Sequence, residues 1–265
     1  MHDFAHHRTN QTQNAPLMRQ CRGRSAFTII ELIVVIGIIT VLLGLAFPAI
    51  GMMRLVAFNT EDLSQIRQLG LGHIAYQNVY SERFVDVGLP HGGYGDEARS
   101  FVQTLEPFLG SPILKSPLDR SPFWETGMQN GEGSEPVRRR TSYGMNNYLS
   151  RNYSPEVALY GPGAAADRLT KVQQPDKVVS FLHMAPTGSF AVSDHPHVEN
   201  WSFGQEPWRL ANDQVAIWAA EGKPSVSEFA ESNYGFVDGS TSSRSFDEVY
   251  KDSQYNLFDP KAQLP

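Results

Sequence analysis

No charged residue occurs between Leu32 and Met53, a run of 22 positions bounded by Glu31 on one side and Arg54 on the other. At about 1.5 Å rise per residue the run makes roughly 33 Å of helix, enough to cross the hydrocarbon core of a bilayer. From Leu55 the pattern changes. Leu55, Phe58, Leu63, Ile66, Leu69, Ile74 and Val79 recur at spacings near three and four, and Arg54, Glu61, Asp62, Gln65, Arg67 and Gln68 fill the other positions. This predicts one long helix, apolar all round in its first half and amphipathic in its second, ending near Tyr80. Gly70 and Gly72 count against its continuity, at about 1 kcal/mol each relative to Ala. No charged heptad seam is maintained, which argues against a coiled coil.

Lys177 to Leu182 and Gln214 to Ala219 have the β-branched and aromatic content of short strands, and Tyr234 to Val237 leads into Asp238-Gly239, a hairpin-turn pair. Between Gly88 and Gly163 the pairs Ser111-Pro112, Ser116-Pro117 and Ser121-Pro122, with Gly161-Pro162-Gly163, predict long irregular connections. The predicted fold class is α+β, a long N-terminal helix packed on a small antiparallel sheet. About 210 residues follow the apolar run, consistent with one domain and a single core.

Glu31 stands directly before the apolar run, in Ala26-Phe27-Thr28-Ile29-Ile30-Glu31. An ionisable group at the membrane edge costs on the order of 2 to 3 kcal/mol, so it needs a partner. A secretory signal has a shorter apolar region of about 7 to 15 residues and disfavours acids within it. A plain anchor tolerates Glu31 poorly and gives no reason for the Phe-Thr pair. Arg19, Arg22 and Arg24 lie just ahead of the helix, which keeps the leader cytoplasmic and exports everything after Met53.

Charge and cysteine usage fit export. Removing the four Arg and one Asp of residues 1–26 from 22 basic and 28 acidic residues leaves 18 and 27, a net charge of −9. An acidic exported domain is not by default a nucleic-acid binder. The sole cysteine, Cys21, falls in the leader, so the remainder forms no disulfide even in an oxidising compartment.

The segment from Ala26 to Glu31 and the apolar helix behind it resemble the prepilin N-terminus of type IV pilins and type II secretion pseudopilins. Pro48 falls where many of these proteins carry a helix-kinking proline. The resemblance implies cleavage by a prepilin peptidase between Ala26 and Phe27, N-methylation of Phe27, and a Glu31 that pairs with the free amine of a neighbouring subunit during assembly. Two departures stand out: Ala26 replaces the usual Gly, which predicts slower processing, and 26 residues precede Phe27. Met18 would start a nine-residue leader of the usual short kind. The chain then divides into the leader 1–26, a transmembrane and assembly helix 27–53, its amphipathic continuation 54–80, and an exported head 81–265.

Further segments resemble a large pseudopilin-like group of planctomycetes and their relatives. These are Ser64-Gln65-Ile66-Arg67-Gln68-Leu69-Gly70 with Tyr76, Tyr143-Gly144-Met145-Asn146, the proline-led Leu169 to Val179, and a terminal box of Asn233, Phe236, Asp238 and Gly239. Glu228 stands where many members have His, and Ser116 where relatives often have Cys.

The sequence contains no nucleophile elbow, no His-Glu-x-x-His, no phosphate-cradling Gly loop and no cysteine cluster. Asp194, His195, His197 and Glu199 offer metal-ligand chemistry, but Pro196 and the lack of remote ligands favour a solvated loop. Asp238 offers a calcium ligand, with turn chemistry as the default beside Gly239. Arg138-Arg139-Arg140 reads as a solvated run. Trp201, Phe203 and Trp208 form either a partner-binding patch or part of the core. The expected protein is a non-enzymatic pilin-like subunit needing no cofactor, with other subunits, a prepilin peptidase and an inner-membrane assembly platform as partners. The alternative is a membrane-tethered binding module.

Overall fold

The computed structural model describes residues 27–89, 97–110, 114–129 and 135–261; the leader with Ala26 lies outside them. Contacts divide the chain into two units, Met1–Ala49 and Ile50–Pro265. Helix α1 (Ile29–Val79) begins in the first and its later turns belong to the second. Every described side chain from Phe27 to Ala49 is exposed. α1 continues through Pro48, whose side chain is outside the described set.

The second unit is built on a four-stranded antiparallel sheet of β1 (Tyr143–Met145), β2 (Val179–His183), β3 (Glu231–Phe236) and β4 (Thr241–Ser245), in that order. The architecture is α+β and pilin-like. Ile66, Leu69 and Tyr76 of α1 pack with Tyr143, Met145 and Phe181 in one core. The other face of the sheet carries a second core around Trp201, whose ring centroid lies 5.8, 5.3 and 5.2 Å from those of Phe246, Tyr250 and Phe258. Helices α2 (Phe101–Thr104), α3 (Pro155–Tyr160), α4 (Pro207–Asn212) and α5 (Phe246–Val249) are short, and α5 opens on a capping box of Ser245 and Glu248.

Close approach of helix and sheet explains the glycines. A Cβ on Gly235 of β3 would fall 2.7 Å from Ile66 Cγ2, so only a bare backbone admits the helix there. Gly70 and Gly72 do not break α1, because each makes room for the head. Their missing side chains would meet Gly239 Cα at 3.3 Å and Leu109 Cδ2 at 2.6 Å. The propensity cost is thus offset by packing. The helix stops without a glycine: Ser81 and Glu82 take φ of 56° and 62°, and Glu82 N–H donates to Gln77 O at 2.8 Å.

Gln214 to Ala219 is not a strand. It makes one isolated bridge, Met184 with Val215, and runs through a turn into a 3-10 helix, Ala219–Glu221. Its apolar residues are there to be buried in the second core, which needs no ladder. The β3–β4 hairpin does form, turning through Asp238 and Gly239 with Gly239 at φ 83°. β4 is an edge strand of Thr, Ser and Arg.

His73 of α1 is buried between Phe84 and Phe181, at ring distances of 5.3 and 5.4 Å, and its Nε2 accepts from Val85 N–H at 3.3 Å. Burial pulls its pKa from 6.5 to about 3. In that window the unfolded chain takes up a proton that the folded chain refuses, so stability falls as pH drops below about 6.5. At 1.36 kcal/mol per unit the loss reaches roughly 2 kcal/mol by about pH 5. Thermal unfolding of the detergent-solubilised chain should show this slope, and His73→Phe should flatten it.

Candidate functional site

Phe27 and Thr28 precede α1, and Thr28 caps it. The Oε2 of Glu31 accepts from Thr28 N–H at 2.8 Å and from Thr28 Oγ1 at 2.9 Å, while Glu31 N–H donates back to Thr28 Oγ1 at 3.2 Å. This is a capping box, in which the acid three residues into the helix satisfies the otherwise unpaired amide of the cap. It gives the Thr and the Glu of the N-terminal segment one shared local role. Glu31 Oε1 makes no hydrogen bond among the described residues.

The second half of α1 carries a different acid, and sequence periodicity misplaces it. Asp62, expected on the polar face, is fully buried. Its Oδ1 accepts from Ser116 Oγ at 2.5 Å and Tyr143 Oη at 2.8 Å; its Oδ2 meets His183 Nε2 at 2.8 Å and Asn233 Nδ2 at 2.7 Å. Burial pushes its carboxyl upward, but His183, Ser116 and Asn233 together hold it below the ordinary value. Three strands and the 116 loop thereby converge on one helical residue.

A second buried acid, Asp119, takes Arg139 Nε at 2.7 Å, Ser142 Oγ at 2.7 Å and Trp124 Nε1 at 3.1 Å. Arg139 is therefore no solvated residue. Its guanidinium also donates to the carbonyls of Ala185, Ala191 and Met184. Burial raises Asp119 and lowers Arg139, and their mutual attraction opposes both effects, leaving Asp119 below its ordinary value.

The 194–199 segment is not a solvated loop either. Asp194 and His195 are buried. Asp194 accepts from Gly88 N–H at 3.0 Å, Leu89 N–H at 3.0 Å and Ser100 Oγ at 2.7 Å, and His195 Nδ1 lies 2.9 Å from it. His197 Nδ1 and Asn147 Nδ2 meet Glu199 at 2.9 and 2.7 Å, holding its pKa down against burial. Among the described residues no group of three or more His, Cys, Asp or Glu could hold a metal ion. These acids are spent on backbone amides and side chains, and the pattern His-x-His carries no signal of that.

The terminal box is structural in its contacts. Asn233 Nδ2 donates to Asp62 and to Asn59 Oδ1, Phe236 lies in the second core with Arg244 over its ring at 5.1 Å, and Asp238 accepts from Ser240 N–H and Oγ at 2.9 and 2.6 Å. Gly239 supplies the positive φ of the turn. Of the aromatic residues 201 to 208, Trp201 is core, Phe203 is exposed and Trp208 borders an open groove of about 630 Å3 with Glu228 and Phe229. His183 borders a cavity of about 20 Å3, room for about one water.

Residues 21–47 match the family model described as the prokaryotic N-terminal methylation motif, 27 of the 265 residues. Neither the curated proteins nor the solved structures yield a match. The motif supports a pilin-like protein processed at its N-terminus, and its overlap with the one described helix apolar enough to cross a membrane supports membrane anchoring.

Removing the Asp62 carboxylate strands four donors in the interior. Asp62→Ala is expected to cost about 3 to 5 kcal/mol in chemical unfolding of the solubilised chain. A loss below about 1 kcal/mol, the size of an exposed pair, would show that the network contributes little. Because its folded pKa is depressed, its contribution is present above the unfolded carboxyl value and disappears as pH falls through the folded one.

Proposed function

We propose that this chain is a structural subunit, a pseudopilin or minor pilin, of a type II secretion pseudopilus or type IV pilus-like filament, working by polymerisation. The observation that carries this reading is the capped, wholly exposed apolar start of α1 inside the methylation motif. Exposed aliphatic residues from Ile29 to Met53 need an apolar environment, first lipid and then the packed helices of neighbours. Gly37, Gly44 and Gly51, seven apart and so on one face, have nothing within 4 Å of where a Cβ would stand, which suits close helix packing. Head-to-tail contacts that do not close give an open filament. The leader stays in the cytoplasm and the head outside it, with the chain held in the inner membrane before assembly. A prepilin peptidase, an assembly platform and other subunits are its partners. The resemblance of several segments, including the Asn233 to Gly239 box, to a planctomycete pseudopilin-like group favours the pseudopilin form of this reading.

The groove beside Trp208 favours a second reading, a membrane-tethered binding module whose prepilin segment serves display. Incorporation into filaments separates the two.

Processing is checked by mass spectrometry of the membrane-extracted protein, whose first residue should be N-methylated Phe27. An intact leader in cells with an active prepilin peptidase would refute the assignment.

Glu31 tests assembly itself. Its Oε1 remains for the amine of an adjacent subunit, and a buried charge left without its partner costs roughly 3 to 5 kcal/mol. Glu31→Leu should keep or improve membrane insertion while lowering filament yield after shearing. Glu31→Gln retains the capping hydrogen bond, so an equal deficit there assigns the effect to charge and not to the cap. Wild-type yield in both variants at matched expression would favour a plain anchor.

A further inference from the structure

Where the uncharged run ends, the second unit carries a basic pocket that neither core packing nor polymerisation accounts for. Arg54, Leu55 and Phe58 of α1 line a cavity of about 270 Å3 together with Arg120, Gly222 and Lys223. Its geometry is fixed by backbone. Asn59 Nδ2 donates to Ala220 O at 2.7 Å, and Gly222, at φ 69°, lies so near the helix that a Cβ there would stand 2.7 Å from Leu55 Cδ1. These contacts clamp the 219–223 segment to α1 and set Lys223 beside Arg54. Arg120 arrives from the 116–120 loop with its guanidinium 5.8 Å from the Phe58 ring centroid.

All three cations are exposed, and among the described residues no salt bridge engages any of them. The pocket's one carboxylate, Glu221, already accepts from Glu231 N–H at 3.1 Å. Three cations facing one engaged carboxylate make this pocket a site of positive potential in a region whose net charge is negative. Arg54 directly follows Met53, the last residue of the uncharged run, Gly51 of that run also lines the pocket, and Leu55 and Phe58 give it apolar walls. An anion seated here would meet both charge and apolar side chains, a combination that suits a lipid better than a free ion.

We propose that this pocket binds the headgroup phosphate of an anionic phospholipid in the leaflet on the head side, with its acyl chains directed toward the uncharged run. Guanidinium groups grip phosphate oxygens in paired hydrogen bonds, and Lys223 adds a point charge. Each cation near an anionic leaflet contributes about fivefold in affinity, so the pocket's net two charges give a preference of roughly thirtyfold. The result is a fixed depth and rotation of α1 at the membrane surface, independent of whether the subunit enters a filament.

The test uses the full chain reconstituted in bilayer discs of phosphatidylcholine containing a minor fraction of phosphatidylglycerol. Native mass spectrometry after detergent release should retain phosphatidylglycerol in preference to phosphatidylcholine. The triple variant Arg54→Gln, Arg120→Gln, Lys223→Gln should lose that preference at least tenfold. Arg67→Gln, an exposed cation on the same helix outside the pocket, should keep it. Equal retention of the two lipids overturns the proposal, as does an equal loss in Arg67→Gln, which would mean diffuse attraction. Inorganic phosphate is the competing arm. If it displaces phosphatidylglycerol at comparable concentration the site is for free phosphate, and if crosslinking finds a carboxylate of a second copy against Lys223 the site is a protein contact; either result also overturns it.

Discussion

A carboxylate taken fully out of water must be given donors, and Asp62 receives them from every strand of the sheet but β4. Apolar packing between α1 and the sheet is tolerant of sliding and rotation, because one aliphatic contact substitutes for another at small cost. A buried acid with four specific partners is not tolerant: a shift of one helical residue would turn it some 100° away and leave charge and donors unsatisfied. The pairing of Gly235 with Ile66 and of Gly70 with Gly239 depends on that register, since both need backbone to approach within contact distance. Desolvation makes such a network a weak source of net stability and a strong source of uniqueness, the role that buried polar groups play in some helical assemblies.

The same logic recurs around Asp119 and Asp194. Arg139 reaches Asp119 and three carbonyls, and Asp194, whose carbonyl accepts from Met145 N–H of β1, ties the backbone of Gly88 and Leu89 to that strand. The described residues between 81 and 142 contain little regular structure, so many of their backbone amides lack ladder partners, and acids accept from some of them. The described parts of a region rich in Gly and Pro are thereby held without strands.

What was legible in the sequence was whatever rests on local periodicity. The uncharged run, the amphipathic turns after it, the strand at 179 to 183 and the Asp238-Gly239 turn all follow from neighbours along the chain. The buried acids do not. Asp62 occupies a helical position between apolar ones, and nothing nearby distinguishes a solvated Asp from one whose partners lie 54 to 171 residues away. Gln214 to Ala219 failed for the opposite reason: its composition reports burial, and burial alone does not choose a ladder.

The sheet ends in β4, whose residues are Thr241, Ser242, Ser243, Arg244 and Ser245, and it gives way at once to α5. An outer strand offers its unpaired amides and carbonyls to any other chain that comes alongside. A foreign strand joining here would gain almost no apolar burial, and five residues are too few to hold it for long. Heads brought side by side at this edge therefore have little reason to fuse into a continuous sheet.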